Sequence, residues 1–383
     1  MTTTDSAAGT DVLTQTLLDD ADPAELFTPF HSGALTLSNR FVMAPMTRAQ
    51  SPNGVPGDDV AQYYARRAPH LGLIVTEGTY IDHPSAGSSD RVPTFYGDDA
   101  LAGWTRVVDA VHAVGGRIFP QLWHLGVTRS ENAPLNPDAP IVSPSGLSAN
   151  GNPRGETATA KDIDDIVASF VRAAVDAQRL GFDGVELHGA HGYLLDQFFW
   201  SATNRRSDRF GGETSGRTRL AAEVVEAIRA EVGPDYPIDF RFSQWKGGHY
   251  DARIADTAAE LDEILTPLVD AGVTLLHAST RRYWLPEFDG SDRTLAGWTK
   301  HLTGLPTIAL GSIGVPGAFM DSSNEAQPTL SMAPLVELFE RGEFDLVALG
   351  RSVLSDPEFT RKLRENRLAD IRAYAKEHET TLY

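Results

Sequence analysis

Eight short runs of apolar and β-branched residues recur along this chain, and nearly every one ends in polar residues or glycine. The runs are Phe41–Ala44, Leu73–Glu77, Arg117–Gln121, Gly184–Leu187, Ile238–Phe242, Leu275–Ala278, Thr307–Leu310 and Leu346–Leu349. Longer segments of helical period connect them, the pattern of a parallel α/β protein. From Lys161 to Leu180, the residues Ile163, Val167, Phe170, Ala174 and Ala177 recur at steps of three or four along one face. Thr159 and Asp162 suit the N-cap of that helix, and Gly181 is placed to end it. The next helix carries Leu220, Val224 and Ile228 and stops at Gly233-Pro234; later ones fit Asp256–Asp270, Pro334–Arg341 and Pro357–Asn366.

Eight strand–helix steps fit either a doubly wound open sheet or a closed barrel. An open sheet gathers its functional residues at one switch point. Here the unusual residues are spread over the ends of many strands: Pro45-Met46-Thr47, Gly78, Gln121-Leu122-Trp123, His188, Arg241, His277, Gly311-Ser312 and Gly350-Arg351. Only a barrel brings so many strand ends to one mouth. The expected fold is therefore a (β/α)8 TIM barrel over residues 23–383, a single domain. Leu26–Asn39 reads as an N-terminal hairpin plugging the barrel bottom. Long loops are expected after strands 3 and 6, at residues 124–160 and 279–305, as lids or substrate walls.

Composition removes several function classes. The chain of 383 residues, 41% hydrophobic and 22% charged, has the make-up of a soluble globular protein. With 33 basic against 52 acidic residues, its charge of −19 repels nucleic acid and anionic membranes. There is no cysteine, which excludes disulfides, thiolate nucleophiles, iron–sulfur clusters and cysteine-ligated zinc. Residues 1–22 hold five aspartates and no lysine or arginine, so they read as a flexible acidic tail rather than a signal peptide. No apolar run is long enough to span a bilayer, and a cytoplasmic location is expected.

His188, His191 and Tyr193 follow the fourth run closely. Two imidazoles and a phenol at one mouth can bind a substrate oxygen and deliver a proton; two structural histidines, or a metal pair, are the rival readings. No acidic residue joins the histidines except Glu186 and Asp196, so no metal is expected. Gly311-Ser312 and Gly350-Arg351 close runs seven and eight, where barrels commonly bind phosphate. Arg241 sits in an otherwise apolar strand and must meet either an anionic ligand or a neighbouring carboxylate. Gln121 offers donor and acceptor together, as an amide–imide edge requires. These features narrow the ligand to a phosphorylated ring compound without naming it.

The segment HGAHGYLLDQF from His188, continued by NRRSDRFGG from Asn204, resembles the old yellow enzyme family of flavin-dependent ene-reductases. NRFVMAPMTR from Asn39, TEGTYI from Thr76, QLWHLG from Gln121 and LVALGRSVLSDPEF from Leu346 carry the same resemblance, in order, at successive strand ends. The resemblance implies a non-covalent FMN across the barrel mouth, with its phosphate on Gly311, Ser312, Gly350 and Arg351. It places Arg241 at the N1–O2 edge, Gln121 at the pyrimidine edge, and Pro45, Met46 and Gly78 beside the ring. Thr47 would donate to O4; a branch of the family with cysteine there is closed to a cysteine-free chain.

The same resemblance implies NAD(P)H as reductant and an α,β-unsaturated carbonyl compound as substrate. His188 and His191 would bind the carbonyl oxygen, and His188 would also border the cofactor. Tyr193 would supply the proton. Trp123 and Tyr283 would shape the substrate pocket, and Tyr383 is the candidate for a C-terminal aromatic that the family contributes to it. The enzyme is expected to act as a monomer or homodimer. The alternatives on the same barrel are an FMN-dependent dehydrogenase, an amine demethylase and a nitro or nitrate-ester reductase.

Overall fold

The computed structural model of the chain describes residues 21–315 and 331–383. The acidic tail expected over residues 1–22 lies, up to residue 20, outside the described residues. A hairpin of β1 (Phe30–Ser32) and β2 (Leu35–Leu37) comes first. The barrel strands are β3 (Phe41–Met43), β4 (Leu73–Tyr80) and β5 (Ile118–Trp123), then, after a small pair β6 (Val142–Ser143) and β7 (Glu156–Thr157), β8 (Val185–His191) and β9 (Ile238–Lys246). The last three are β10 (Leu275–Ser279), β11 (Thr307–Leu310) and β12 (Leu346–Leu349). These eight pair in parallel and close on themselves, β12 lying beside β3.

Closure explains the composition of the strands. Every residue of β4 and β5 is buried, because one face packs in the lumen and the other under the helices. The hairpin does plug the bottom: Phe30, Leu35 and Leu37 join one apolar cluster with Val42, Leu73, Val75, Phe119, Leu275, Ile308 and Leu346. The helix expected from Lys161 runs Ala160–Arg179, with a full capping box between Thr159 and Asp162.

Five strands run further than their apolar cores suggest: β4 reaches Tyr80, β5 Trp123, β8 His191, β9 Lys246 and β10 Ser279. His188 and His191 thus lie inside β8 rather than beyond it. The expected loop over 279–305 also holds a helix, Leu295–Thr303, capped by Thr294, so the irregular part is shorter. The loop after β5 is organised by Arg129, whose buried guanidinium donates to the carbonyls of Gly87, Ala139 and Leu135 at 3.0, 3.0 and 2.9 Å. No helix among the described residues is long and apolar enough to cross a membrane.

One buried cation ties the last strand–helix unit to the first. Arg67, at the end of helix Asp58–Arg67, donates from Nε to Val353 O and from Nη2 to Leu354 O, both at 2.9 Å. Its guanidinium also lies 3.7 Å from the Tyr63 ring centre. These carbonyls belong to helix Arg351–Ser355, so Arg67 fixes where Arg351 begins at the barrel mouth. Replacing Arg67 by Met would leave several buried carbonyls without a donor, each costing about 1–3 kcal/mol. Arg67→Met is expected to lower stability by at least about 3 kcal/mol, read as a shift of the urea unfolding midpoint.

Candidate active site

The C-terminal ends of the barrel strands surround a cavity of about 410 Å³. That size suits a small-molecule or cofactor site. Its wall brings together Pro45, Met46 and Thr47 after β3, Gln121 and Trp123 from β5, and His188, His191 and Tyr193 on or after β8. Arg241 of β9, Gly311 and Ser312 after β11, and Gly350 and Arg351 after β12 complete the expected set.

Three expected residues do not line it. Gly78 is covered by Trp123: a Cβ built on it would sit 2.5 Å from the indole, so the glycine lets the ring lie against the β4 backbone. Tyr283 is turned away because its backbone N–H donates to Gly311 O at 3.3 Å. Its buried ring packs on Trp284 instead, 5.1 Å between centres. Nor does Tyr383 reach the cavity. It is 56% exposed, with Arg66 and Arg372 against its ring, and Glu379 is the C-terminal residue on the wall.

The electrostatics centre on Arg241. Its buried guanidinium faces two carboxylic side chains one layer deeper in the lumen, Glu186 and Asp239. Glu186 accepts from Gln121 Nε2 at 2.6 Å and from His277 Nδ1 at 2.7 Å. Burial alone would raise the Glu186 carboxyl, but His277 and Arg241 outweigh it and hold the group ionised. Burial and the adjacent Glu186 push Asp239 well up, so it keeps its proton. The tether to Glu186 also fixes the Gln121 amide, turning its carbonyl oxygen away from that carboxylate. Ligand atoms of Glu186, Asp239 and His277 lie close enough to hold a metal ion; His188 and His191 are not in that group.

Burial, and next the Arg241 charge, push both His188 and His191 well down, so each is a neutral imidazole at pH 7. Burial raises the Tyr193 phenol against the opposing pull of Arg241, so it remains protonated. The rings form one cluster, with centres 4.9 Å apart for His188 and Tyr193, 5.2 Å for the two histidines and 4.8 Å for Trp123 and Tyr193. Arg48, Trp245, Ser279 and Glu379 also line the cavity, though sequence reasoning passed over them as site residues. Arg48 stood within a quoted motif. Trp245 could have been found by continuing the β9 alternation two residues past Ser243.

The rest of the HGAHGYLLDQF segment holds this cluster in place. Asp196 and Lys246 form an ion pair at 2.8 Å with side chains 0% and 1% exposed. The other Asp196 oxygen accepts from Gly192 N at 2.5 Å, between His191 and Tyr193. Gln197 accepts from Val127 N at 3.0 Å and donates to the carbonyls of Leu125 and Gly192 at 3.0 and 2.7 Å. Asp196→Asn would strand the Lys246 charge in the interior and is expected to cost about 3–5 kcal/mol. Adding Lys246→Met should recover a large part of that loss, as denaturant midpoints of the single and double variants would show.

Comparison with known proteins agrees with this geometry. Residues 25–370 match the model of the NADH:flavin oxidoreductase / NADH oxidase family. 12-Oxophytodienoate reductase 7 of Oryza sativa subsp. japonica is 33% identical over 90% of this chain and 88% of its own. The solved structure of morphinone reductase aligns over 92% of both chains with a TM-score of 0.77 and 30% identity, and it has also been solved in complex with tetrahydroNAD. An old yellow enzyme homologue from Zymomonas mobilis aligns over 93% of this chain and 96% of its own, with a TM-score of 0.77 and 27% identity. The chain belongs to the NADH:flavin oxidoreductase / NADH oxidase family, the old yellow enzyme family of FMN-dependent oxidoreductases.

Proposed function

We propose that this enzyme is an ene-reductase that uses NAD(P)H to reduce the activated C=C bond of α,β-unsaturated carbonyl compounds. One observation carries the reading: two neutral imidazoles and a protonated phenol share one wall of the cavity, beside a buried arginine. Bound there, FMN would supply hydride chemistry, accepting from the nicotinamide and giving to the substrate β-carbon. The donor set fits that group. Gln121 and Arg241 suit the polar edge of a flat ring, Thr47 a second edge, and Pro45 and Met46 its apolar face. Ser312 and Arg351, 3.5 Å apart, stand with Gly311 and Gly350 where a phosphate needs donors. Arg241 still has a buried Nε without a partner among the described residues. In a chain with no cysteine, Thr47 would be the hydroxyl that modulates the cofactor from the end of β3.

The protein's own groups then divide the work. His188 and His191 donate to the substrate carbonyl oxygen and stabilise the negative charge that grows on it. Tyr193 holds the proton that the α-carbon takes up. Trp123 and Trp245 confine the substrate from two sides and exclude water. A reduced nicotinamide as donor is supported by the likeness to morphinone reductase, solved with tetrahydroNAD.

The purified protein should be yellow and should release FMN on denaturation. Anaerobic reduction by NADPH or NADH followed by mixing with cyclohexenone should restore the oxidised spectrum. No reoxidation by the enone, with rapid reoxidation by a nitro compound or nitrate ester, would transfer the reading to those substrates. Tyr193→Phe is expected to slow the enone half-reaction by about 100-fold while leaving reduction by the nicotinamide within a few-fold of the parent. An equal loss in both half-reactions would remove Tyr193 from the proton-donor role.

A further inference from the structure

A neutral imidazole has a single N–H, so His191 can donate into the cavity only if the right ring nitrogen carries the proton. Its neighbours decide which. His191 Nε2 lies 2.8 Å from Ser279 Oγ, and that oxygen also takes a hydrogen bond from Arg241 Nη2 at 3.2 Å. An arginine only donates. The Ser279 hydroxyl therefore has its own hydrogen left to give, and among the described residues its remaining partner is His191 Nε2. A His191 protonated on Nε2 would aim two donors at one oxygen and leave the hydroxyl hydrogen of a side chain only 1% exposed without an acceptor. The hydrogen of His191 is then on Nδ1, which has no hydrogen-bond partner among the described residues, on a ring that lines the cavity.

The ring is held in that orientation from behind. His191 adopts φ +62°, its N–H donates to Ser243 Oγ at 2.9 Å, and its carbonyl accepts from Gly247 N at 3.1 Å. Trp245 stacks on the imidazole at 4.3 Å between centres, and the indole N–H donates to Ser279 O at 3.2 Å. Ser279 thus holds the imidazole by its hydroxyl and the indole backing it by its carbonyl.

We infer that Ser279 is a positioning residue: it relays a hydrogen bond from Arg241 to His191 Nε2 and so fixes His191 as the Nδ1–H donor to the substrate oxygen. The inference rests on the reading of His191 as an oxygen-binding residue. It adds that Arg241, on the cofactor side of the cavity, and His191, on the substrate side, are joined through one hydroxyl.

Histidine-¹⁵N-labelled holoenzyme, with the His191 signals assigned through His191→Asn, reports the tautomer directly by NMR without turnover. The parent and Ser279→Thr should show the Nδ1–H form, and Ser279→Ala should shift His191 toward Nε2–H or a mixture. In parallel, para-chlorophenol titrated into the oxidised holoenzyme should bind about tenfold more weakly to Ser279→Ala, with Ser279→Thr within about twofold of the parent. An Nδ1–H signature that survives in Ser279→Ala, or a phenol affinity that variant leaves unchanged, overturns the assignment. Should Ser279→Ala not retain FMN, Ser279→Cys, nearly isosteric and a weaker donor, is read by the same two measurements and against the same two outcomes. A parent enzyme that reduces no enone yet shows the Ser279-dependent tautomer retires the ene-reductase reading and leaves the role of Ser279 standing.

Discussion

The site is organised around a positive charge that the barrel must bury. Arg241 sits in a lumen where an isolated ion would be prohibitively costly, so the surrounding strands supply its compensation. Strand register delivers it. His188 on β8 and His277 on β10 lie level with Arg241, while Gln121, Glu186 and Asp239 share the layer beneath. Because side chains alternate along a strand, Glu186 and His188 face the same way, as do Asp239 and Arg241, and Leu275, His277 and Ser279. One ionised carboxylate, one protonated carboxyl and one neutral imidazole then balance a single cation. The same arrangement fixes the Gln121 amide on one side and, through Ser279, the His191 ring on the other.

His188 and His191 are three residues apart, and in a regular strand such positions face opposite sides. They share a cavity because the strand is irregular there. Between Gly189 and His191, β8 advances two residues while β9 advances four, from Phe242 to Lys246, and His191 takes up a left-handed backbone conformation. The buried Lys246–Asp196 pair and the Gly192 amide hold that departure in place, and the extra length of β9 is what carries Trp245 over the His191 ring.

This irregularity also marks where the sequence stops being readable. The strands are legible because a parallel barrel buries both faces of each one, giving apolar runs such as Leu73–Val75 and Leu346–Leu349. The run at Gly184–Leu187 ends at His188 only in hydropathy, since the hydrogen-bonded strand continues through His188, Gly189 and Ala190 to His191. Strand-end residues such as Gln121 and Arg351 were legible because their chemistry is out of place beside apolar neighbours. Ser279 was not, since a serine after a strand is ordinary and its significance lies in two partners, 38 and 88 positions away in the chain. Tyr283 misled for the converse reason: an aromatic in a long loop looks like a pocket wall, but a backbone hydrogen bond to Gly311 turns it into packing. Glu379 had no local signal at all, being placed by the docking of the C-terminal segment.

In the proposed reaction the buried cation also assigns the proton. A histidine beside a carboxylate could act as an acid, but His188 and His191 lie in a dry pocket next to Arg241, and both causes push their pKa values down. Neutral at working pH, they can share a hydrogen with an oxygen but hold no surplus proton to deliver. Tyr193 answers to the same two influences with a different result. Burial disfavours its phenolate more than Arg241 favours it, so the phenol stays protonated while the nearby cation eases the charge left when the proton departs. Had the acid been a third imidazole at that position, the same field would have emptied it of its proton. A weak acid whose charged form is negative is the kind of group that a buried arginine helps rather than disarms, and Tyr193 is such a side chain, against His188 and on the same cavity wall as His191.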